Sequence, residues 1–314
     1  MTTAVPVIAI VGPTAVGKST LAEDVAVALG GEIVSADSMQ VYRGMDIGTA
    51  KTPPGERRVP YHCIDLVNPG TPYSAALFQR DARDAIVTIR SRGRVPVIAG
   101  GTGLYVRAAL DDMRFPAGDL ATPTRAALDA RAASGEGAAL HAELEALDPQ
   151  AAALIHPNNT RRVVRALEML AEGRSYATQA AGFSARSAFY PQTRMLGLTM
   201  DRPALYALID RRVEEMMAAG LLAEVEALLD AGYRDAVTAT QAIGYKELVP
   251  VIEQGADADA AIEAIKRASR RYAKRQLTWF RADPRIRWLD VTGLSATERT
   301  SSALRLLEST EHTG

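Results

Sequence analysis

The sequence predicts an α/β fold, a parallel sheet with helices on both faces, joined to an all-helical insertion. Three observations lead there. Short apolar runs rich in β-branched residues alternate with longer helical patterns along most of the chain, which is the signature of strands linked by crossover helices. The first run, VIAIV at 7–11, leads straight into a glycine-rich turn and then a helical repeat of Leu21, Val25 and Leu29. Residues 114–191 break the alternation: they carry only helical, alanine-rich patterns punctuated by proline and glycine.

Taken in order, the strands are 7–11 (VIAIV), 32–36 (EIVSA), 95–99 (VPVIA), 194–200 (RMLGLTM) and 286–291 (IRWLDV), with a weaker candidate at 62–66. Residues 202–282 are again mostly helical and return to the sheet through the last strand. The expected organisation is an α/β core from 1–113 and 192–314, with 114–191 as a helical insertion domain. Open parallel sheets bind ligands beyond the C-terminal ends of their strands, so motifs are sought there.

Bulk properties exclude several classes. The 314 residues are 47% hydrophobic and 23% charged, too apolar for a disordered chain. Apolar runs are strand-length, so no membrane span is expected, and the N-terminus lacks a charged-then-apolar leader pattern. The single cysteine, Cys63, excludes an internal disulfide and a cysteine-rich metal site, and reads as a small buried apolar residue. A cytoplasmic protein is expected. The net charge of −1 means that any affinity for nucleic acid must come from local clusters.

The strongest motif is G-x-x-x-x-G-K-S, formed by Gly12, Pro13, Thr14, Ala15, Val16, Gly17, Lys18 and Ser19. Between a strand and a helix it is a P-loop: inward-facing amides and a helix N-terminus surround an anion, and Lys18 adds a formal charge. The Ser19 hydroxyl is placed to reach a Mg²⁺ ion bridging phosphate oxygens. The motif does not say what the phosphate is attached to.

Five further stretches accompany it in the sequence. In SADSMQVYRGMDIGTAK, residues 35–51, Asp37 follows an apolar strand. Position alone favours a Mg²⁺ ligand there over a general base. Ser38 and Gln40 add donors and acceptors, and a glutamine amide can read a base edge. In VIAGGTGLY, residues 97–105, another strand enters a turn where Gly100, Gly101 and Gly103 allow close backbone approach and Thr102 offers a hydroxyl. This is a candidate third wall of one pocket. In IKRASRRYAKRQLTWFR, residues 265–281, basic residues recur every four positions at 266/270/274 and 267/271/275. They are expected to form one helical stripe for a phosphate backbone. Finally, LIDRRVEEMMAAGLLAEVEALL, residues 208–229, reads as an amphipathic helix pair. Arg211 and Arg212 there are either surface charges or a clamp on an anionic leaving group, and QAIGYKE at 241–247 is a polar turn of unassigned use.

Together GPTAVGKST, DSMQVYRGMDIGTAK, GGTGLYVRAAL, HPNNTRRVVRALE, QAIGYKE and YAKRQLTWFR resemble the tRNA dimethylallyltransferase (tRNA isopentenyltransferase) family, in the family's order over about residues 7–290. The first motif alone is shared with every P-loop kinase; the combination is specific. Ser19 stands where the family frequently has threonine, which keeps the hydroxyl. The resemblance implies transfer of a dimethylallyl group from dimethylallyl diphosphate to the exocyclic amine of the adenosine just 3′ of the anticodon.

It further implies that residues 12–19 and Arg212 hold a diphosphate leaving group with Mg²⁺ on Ser19. Asp37 becomes the general base, reversing the preference from position alone, with Lys18, Arg212 and Thr102 completing the catalytic set. The tRNA contacts implied are Asp37, Ser38, Met39, Gln40 and Thr102; Arg125, Arg161, Arg162, Val163, Val164 and Arg165 of the insertion; Gln241, Ala242, Ile243, Gly244, Tyr245 and Lys246; and Arg270, Arg271 and Lys274. A monomer is expected. The rival readings are a P-loop small-molecule kinase and prenyl transfer to free adenine nucleotides; a GTPase is excluded because no N-K-x-D or T-K-x-D stretch occurs.

Overall fold

The computed structural model describes residues 5–115, 122–184, 186–236 and 238–309. The chain divides into two compact units, one from Met1–Leu110 with Ala188–Gly314 and one from Asp111–Ser187.

The larger unit is built on six parallel strands. These are β1 (Val7–Val11), β2 (Gly31–Ser35), β3 (Tyr61–His62), β4 (Val95–Gly100), β5 (Thr193–Thr199) and β6 (Ile286–Asp290), in the order β3-β2-β4-β1-β5-β6. All five residues of β1 are buried, as a central strand covered on both faces requires. Helix α1 (Lys18–Leu29) lays Leu21 and Val25 against Ile8 and Ile10 of β1 and Leu196 and Leu198 of β5 in one core cluster. The sheet is also flanked by α2 (Ala75–Ser91) and α3 (Gly103–Leu110).

The weak strand candidate at 62–66 is a correction. β3 stops at His62, and Cys63 and Asp65 adopt left-handed φ values of 58° and 55°. The cause is Lys51. Its buried ammonium donates to the Tyr42 carbonyl at 2.5 Å and to the carboxylates of Asp46 at 2.7 Å and Asp65 at 2.5 Å. The amides of Asp65, Leu66 and Val67 meanwhile donate to the carbonyls of Gln40 and Val41, so the segment pairs with that loop and leaves the sheet.

The smaller unit is helical: α4 (Pro123–Ala133), α5 (Gly137–Leu147), α6 (Pro149–Leu154), α7 (Thr160–Ala171) and α8 (Tyr176–Ser184). Side-chain N-caps start three of them, from Thr122, Asp148 and Asn159, with proline in the first turn after the first two. Leu128, Leu140, Leu144, Ile155 and Leu167 form its own core. Val163 and Val164 lie in that core at 0% and 1% exposure. Their side chains pack the insertion, so a tRNA contact at these two positions would fall to their backbone.

Returning to the larger unit, α9 (Arg202–Ala218), α10 (Leu221–Asp230), α11 (Tyr245–Gln254), α12 (Ala258–Arg281) and α13 (Ala296–Glu308) complete the fold. No helix among the described residues is long and apolar enough to cross a membrane.

Strands β2 and β4 approach so closely at their C-terminal ends that a Cβ on Gly100 would sit 2.2 Å from the Ala36 carbonyl oxygen. Backbone cannot yield as a side chain can. Gly100→Ala is expected to lower stability by about 1–3 kcal/mol, read as a lower denaturant midpoint at unchanged slope.

Candidate active site

At the C-terminal end of β1 the chain turns through Gly12, Ala15 and Gly17 at φ values of 149°, 65° and 90° before α1 begins at Lys18. Alternating positive φ values turn successive amides to the same side and make an anion-binding concavity. Gly17, the N-cap of α1, offers no side-chain cap, so the helix's first amides are left for a ligand. The Lys18 ammonium arcs back to donate to the Pro13 carbonyl at 2.5 Å, and Arg212 from α9 donates to the Thr14 hydroxyl at 3.4 Å.

Two cations therefore converge on one loop. Burial first, and the Arg212 charge second, push the Lys18 ammonium down to about 7, against the opposing pull of Asp37. Burial likewise lowers the Arg212 guanidinium, with Asp37 and Glu215 opposing. A pair of desolvated cations facing one carboxylate is a site built to receive more negative charge.

The walls are tied together by hydrogen bonds. The Asp37 carboxylate accepts from the Met39 amide at 2.9 Å. Ser38 donates its amide to the Thr102 hydroxyl at 3.0 Å, and Thr102 donates its own amide to the Ala36 carbonyl at 3.2 Å, which joins the ends of β2 and β4. Gln276 of α12, only 5% exposed, accepts from the Thr14 amide at 2.8 Å and donates to the Gly101 carbonyl at 2.9 Å. One buried amide thus clamps the phosphate loop to the glycine-rich turn. The Gln40 amide is engaged internally, accepting from Ser35 at 2.7 Å and donating to the Thr49 carbonyl at 3.1 Å.

Two cavities meet behind these walls. The larger, about 570 Å³, is polar and is lined by Lys18, Ser19, Gln40, Lys51, Gly101, Arg211 and Arg212 among others. The smaller, about 340 Å³, is lined on one side by Ile209, Val213, Met216, Ile265 and Ala268 and on the other by Ser38, Met39, Gln241, Ala242, Ile243, Gly244, Tyr245 and Lys246. Thr14, Ala15, Asp37, Thr49, Arg212 and Tyr272 line both. An acidic group, a cation and an aromatic ring thus stand where a polar chamber opens into one of mixed lining with an apolar wall.

Sequence reading missed the parts that hold this junction. Glu224 of α10 accepts from the amides of Asp46, Ile47 and Gly48 at 3.1, 2.7 and 3.2 Å and from the Tyr245 hydroxyl at 2.5 Å. It fastens the loop after Gln40 to the start of α11, and nothing in the sequence around it signals that duty. Gln276 did leave a signal, since it sits in step with the buried Ala261, Ile265, Ala268 and Phe280, a polar residue on an apolar helix face.

The basic stripe on α12 is not one surface. Lys266 pairs with Glu214 and Glu263 at 2.8 and 3.0 Å, and Arg270 with Asp210 at 2.5 Å, so this part of it locks α12 to α9. Arg271 and Arg275 instead line the smaller cavity, and Lys274 is exposed. In the insertion, Arg125 and Arg165 converge on Glu168, 1% exposed, at 3.4 and 2.6 Å and join α4 to α7. Arg161 and Arg162 are exposed and make no ion pair among the described residues.

The lowered Lys18 value has a measurable sign. Near pH 8 the empty site holds Lys18 largely neutral, and a bound anion restores its charge, so binding takes up a proton. Calorimetry with inorganic pyrophosphate and a chelator, in buffers of different ionisation enthalpy, is expected to show about one more proton taken up by the parent than by Lys18→Arg. The difference should vanish below about pH 6, where Lys18 is already charged.

Comparison with known proteins places the chain in a family. Residues 40–283 match the family described as IPP transferase. The chain is 50% identical over 285 residues to the tRNA dimethylallyltransferase of Geobacillus kaustophilus, covering 90% of each chain. It is 47% identical over 289 residues to the tRNA dimethylallyltransferase of Bacillus subtilis, covering 91% of each. Among solved structures, the tRNA isopentenylpyrophosphate transferase of Bacillus halodurans superposes with a TM-score of 0.69 at 43% identity, over 96% of this chain and 97% of that one. A eukaryotic dimethylallyltransferase acting on tRNA superposes with a TM-score of 0.79 at 30% identity, over 95% of this chain and 77% of that one. A parallel sheet, a phosphate loop facing a carboxylate, and this likeness over nine-tenths of the chain lead to one assignment: the protein belongs to the IPP transferase family.

Proposed function

We propose that this protein transfers the dimethylallyl group of dimethylallyl diphosphate to the N6 amine of the adenosine 3′-adjacent to the anticodon of tRNA, acting as a cytoplasmic monomer. The observation that carries the reading is the junction, at Asp37, Arg212 and Tyr272, of a cation-lined polar chamber with one that has an apolar wall of Ile209, Val213, Met216, Ile265 and Ala268. An allylic diphosphate has that polarity: a dense anion joined through one C–O bond to five apolar carbons.

The reaction breaks the allylic C–O bond, whose electron pair leaves with the diphosphate, and forms a C–N bond from the adenine amine. Charge grows on the leaving oxygen, facing the inward amides of the loop, Lys18 and Arg212, which act most strongly in a desolvated site. Arg212 adds a fork of donors suited to phosphate. The adenine amine is a poor nucleophile and must lose a proton as it attacks. Asp37, on the wall of both chambers, is the acceptor for it, and the Ser38–Thr102 bond holds that wall in register. Residues 241–246 and Met39 shape the pocket for the base once it has left its stack.

The donors present suit Mg²⁺. The Ser19 hydroxyl opens on the polar chamber, and no group of three or more acidic, histidine or cysteine side chains able to cage a metal occurs among the described residues. Mg²⁺ typically takes few protein ligands and fills its octahedron with water and phosphate oxygens. Ser19 would hold it, and when bound it would neutralise diphosphate charge.

Incubating the protein with dimethylallyl diphosphate, Mg²⁺ and bulk tRNA, then measuring nucleoside masses, tests the proposal; ATP-dependent phosphorylation of an acceptor in place of prenylation would overturn it. Asp37→Asn is expected to slow transfer about 10²–10⁴-fold with pyrophosphate affinity retained, and a rate within threefold of the parent would remove Asp37 as the base. The insertion is proposed to grip the anticodon arm through Arg161 and Arg162. Reversing both to Glu is expected to lower the slope of log affinity against log salt by about two. An unchanged slope would return them to solvated surface charges.

A further inference from the structure

Beyond Arg275, α12 carries Trp279, and Arg271, Arg275 and Trp279 follow one another at four-residue spacing along one ridge of the helix. Arg271 and Arg275 are exposed and line the smaller chamber. The ion pairs made by α12 cations among the described residues belong to Lys266 and Arg270, which leaves the guanidiniums of this ridge without an acidic partner. Trp279 is 44% exposed, yet it is not loose. A Cβ on Gly103 would lie 2.1 Å from its Cδ1 and Nε1, so the five-membered edge of the indole rests directly on the backbone of the glycine-rich turn.

A half-open indole in line with two arginines that have no acidic partner, Arg275 lying over the Tyr272 ring at 5.6 Å, suits a nucleotide. Its π-face stacks on a base without regard to identity, while guanidiniums take the phosphates. An apolar protein segment would match the ring but not the charges beside it. We infer that Trp279 is a stacking platform for an unpaired base flanking the acceptor adenosine, with Arg271 and Arg275 on the phosphates between the two. This rests on the proposed prenyl transfer to tRNA and adds a subsite for a nucleotide that does not react.

The chain has two tryptophans, and Trp288 lies in β6. In a Trp288→Phe protein, an anticodon stem-loop RNA is expected to quench the remaining fluorescence, whereas the base-paired stem alone is not. Quenching of the parent protein that Trp279→Phe abolishes gives the same readout should Trp288→Phe fold poorly. Trp279→Ala is expected to raise KM for tRNA roughly 5- to 150-fold, Trp279→Phe to recover most of it, and pyrophosphate affinity to stay unchanged in both. Absent quenching together with a parental KM in Trp279→Ala would overturn the platform. So would a loss of pyrophosphate binding in Trp279→Ala, which would make the indole a packing element of the turn. A parent protein that prenylates no tRNA would instead sink the reading on which the inference rests.

Discussion

Holding an ammonium next to a guanidinium where both are half-buried is costly, and the active-site side of the fold is organised around tolerating it. Lys18 and Arg212 face each other across the phosphate loop with Asp37 as the nearby opposing charge. Removing charge from water weakens the charged form unless a partner restores it. The loop then needs rigid support, because a relaxed loop would let water in or let Lys18 swing out. That support comes from distant chain segments. Gln276 pins Thr14 from α12, and Arg212 donates to the Thr14 hydroxyl from α9.

The same constraint explains why the walls are linked by backbone-directed bonds. Glu224 gathers three consecutive amides and a phenol, Gln276 joins an amide to a carbonyl, and Thr102 ties Ser38 and Ala36 together. Each bond crosses between segments far apart in the chain, so the cavities are outlined by satisfied polar groups. Satisfied networks of this kind rigidify a site, whereas a half-satisfied one would destabilise it. Lys51 does the equivalent for the loop after β2, meeting one carbonyl and two carboxylates at once.

Charge of one sign serves two purposes on a single helix. On α12, Lys266 and Arg270 are neutralised by acids of α9 and hold the two helices together, while Arg271 and Arg275, one and five residues beyond Arg270, open onto a cavity. The insertion repeats the division, with Arg125 and Arg165 shared by the buried Glu168 and Arg161 and Arg162 turned outward. A one-residue step rotates a side chain by about 100° around the helix, enough to change a structural cation into an exposed one.

Much was legible in the chain alone, because local patterns carry it. Strand and helix periodicity mark the parallel sheet, and a glycine-lysine-serine turn between β1 and α1 marks an anion site, since both depend on neighbours in sequence. Asp37, Thr102 and Arg212 could be singled out as residue types suited to the chemistry, although nothing in their spacing says that they meet. Only the tertiary structure decided that α9 and α12 bring Arg212 and Gln276 to the phosphate loop, from about two hundred residues away in the case of Arg212. It also decided that Val163 and Val164 face a core, that Lys51 draws Asp65 out of the sheet, and that the basic stripe splits in two. These outcomes turn on which acids, carbonyls and apolar faces another element presents, and a helical repeat does not encode what lies opposite it.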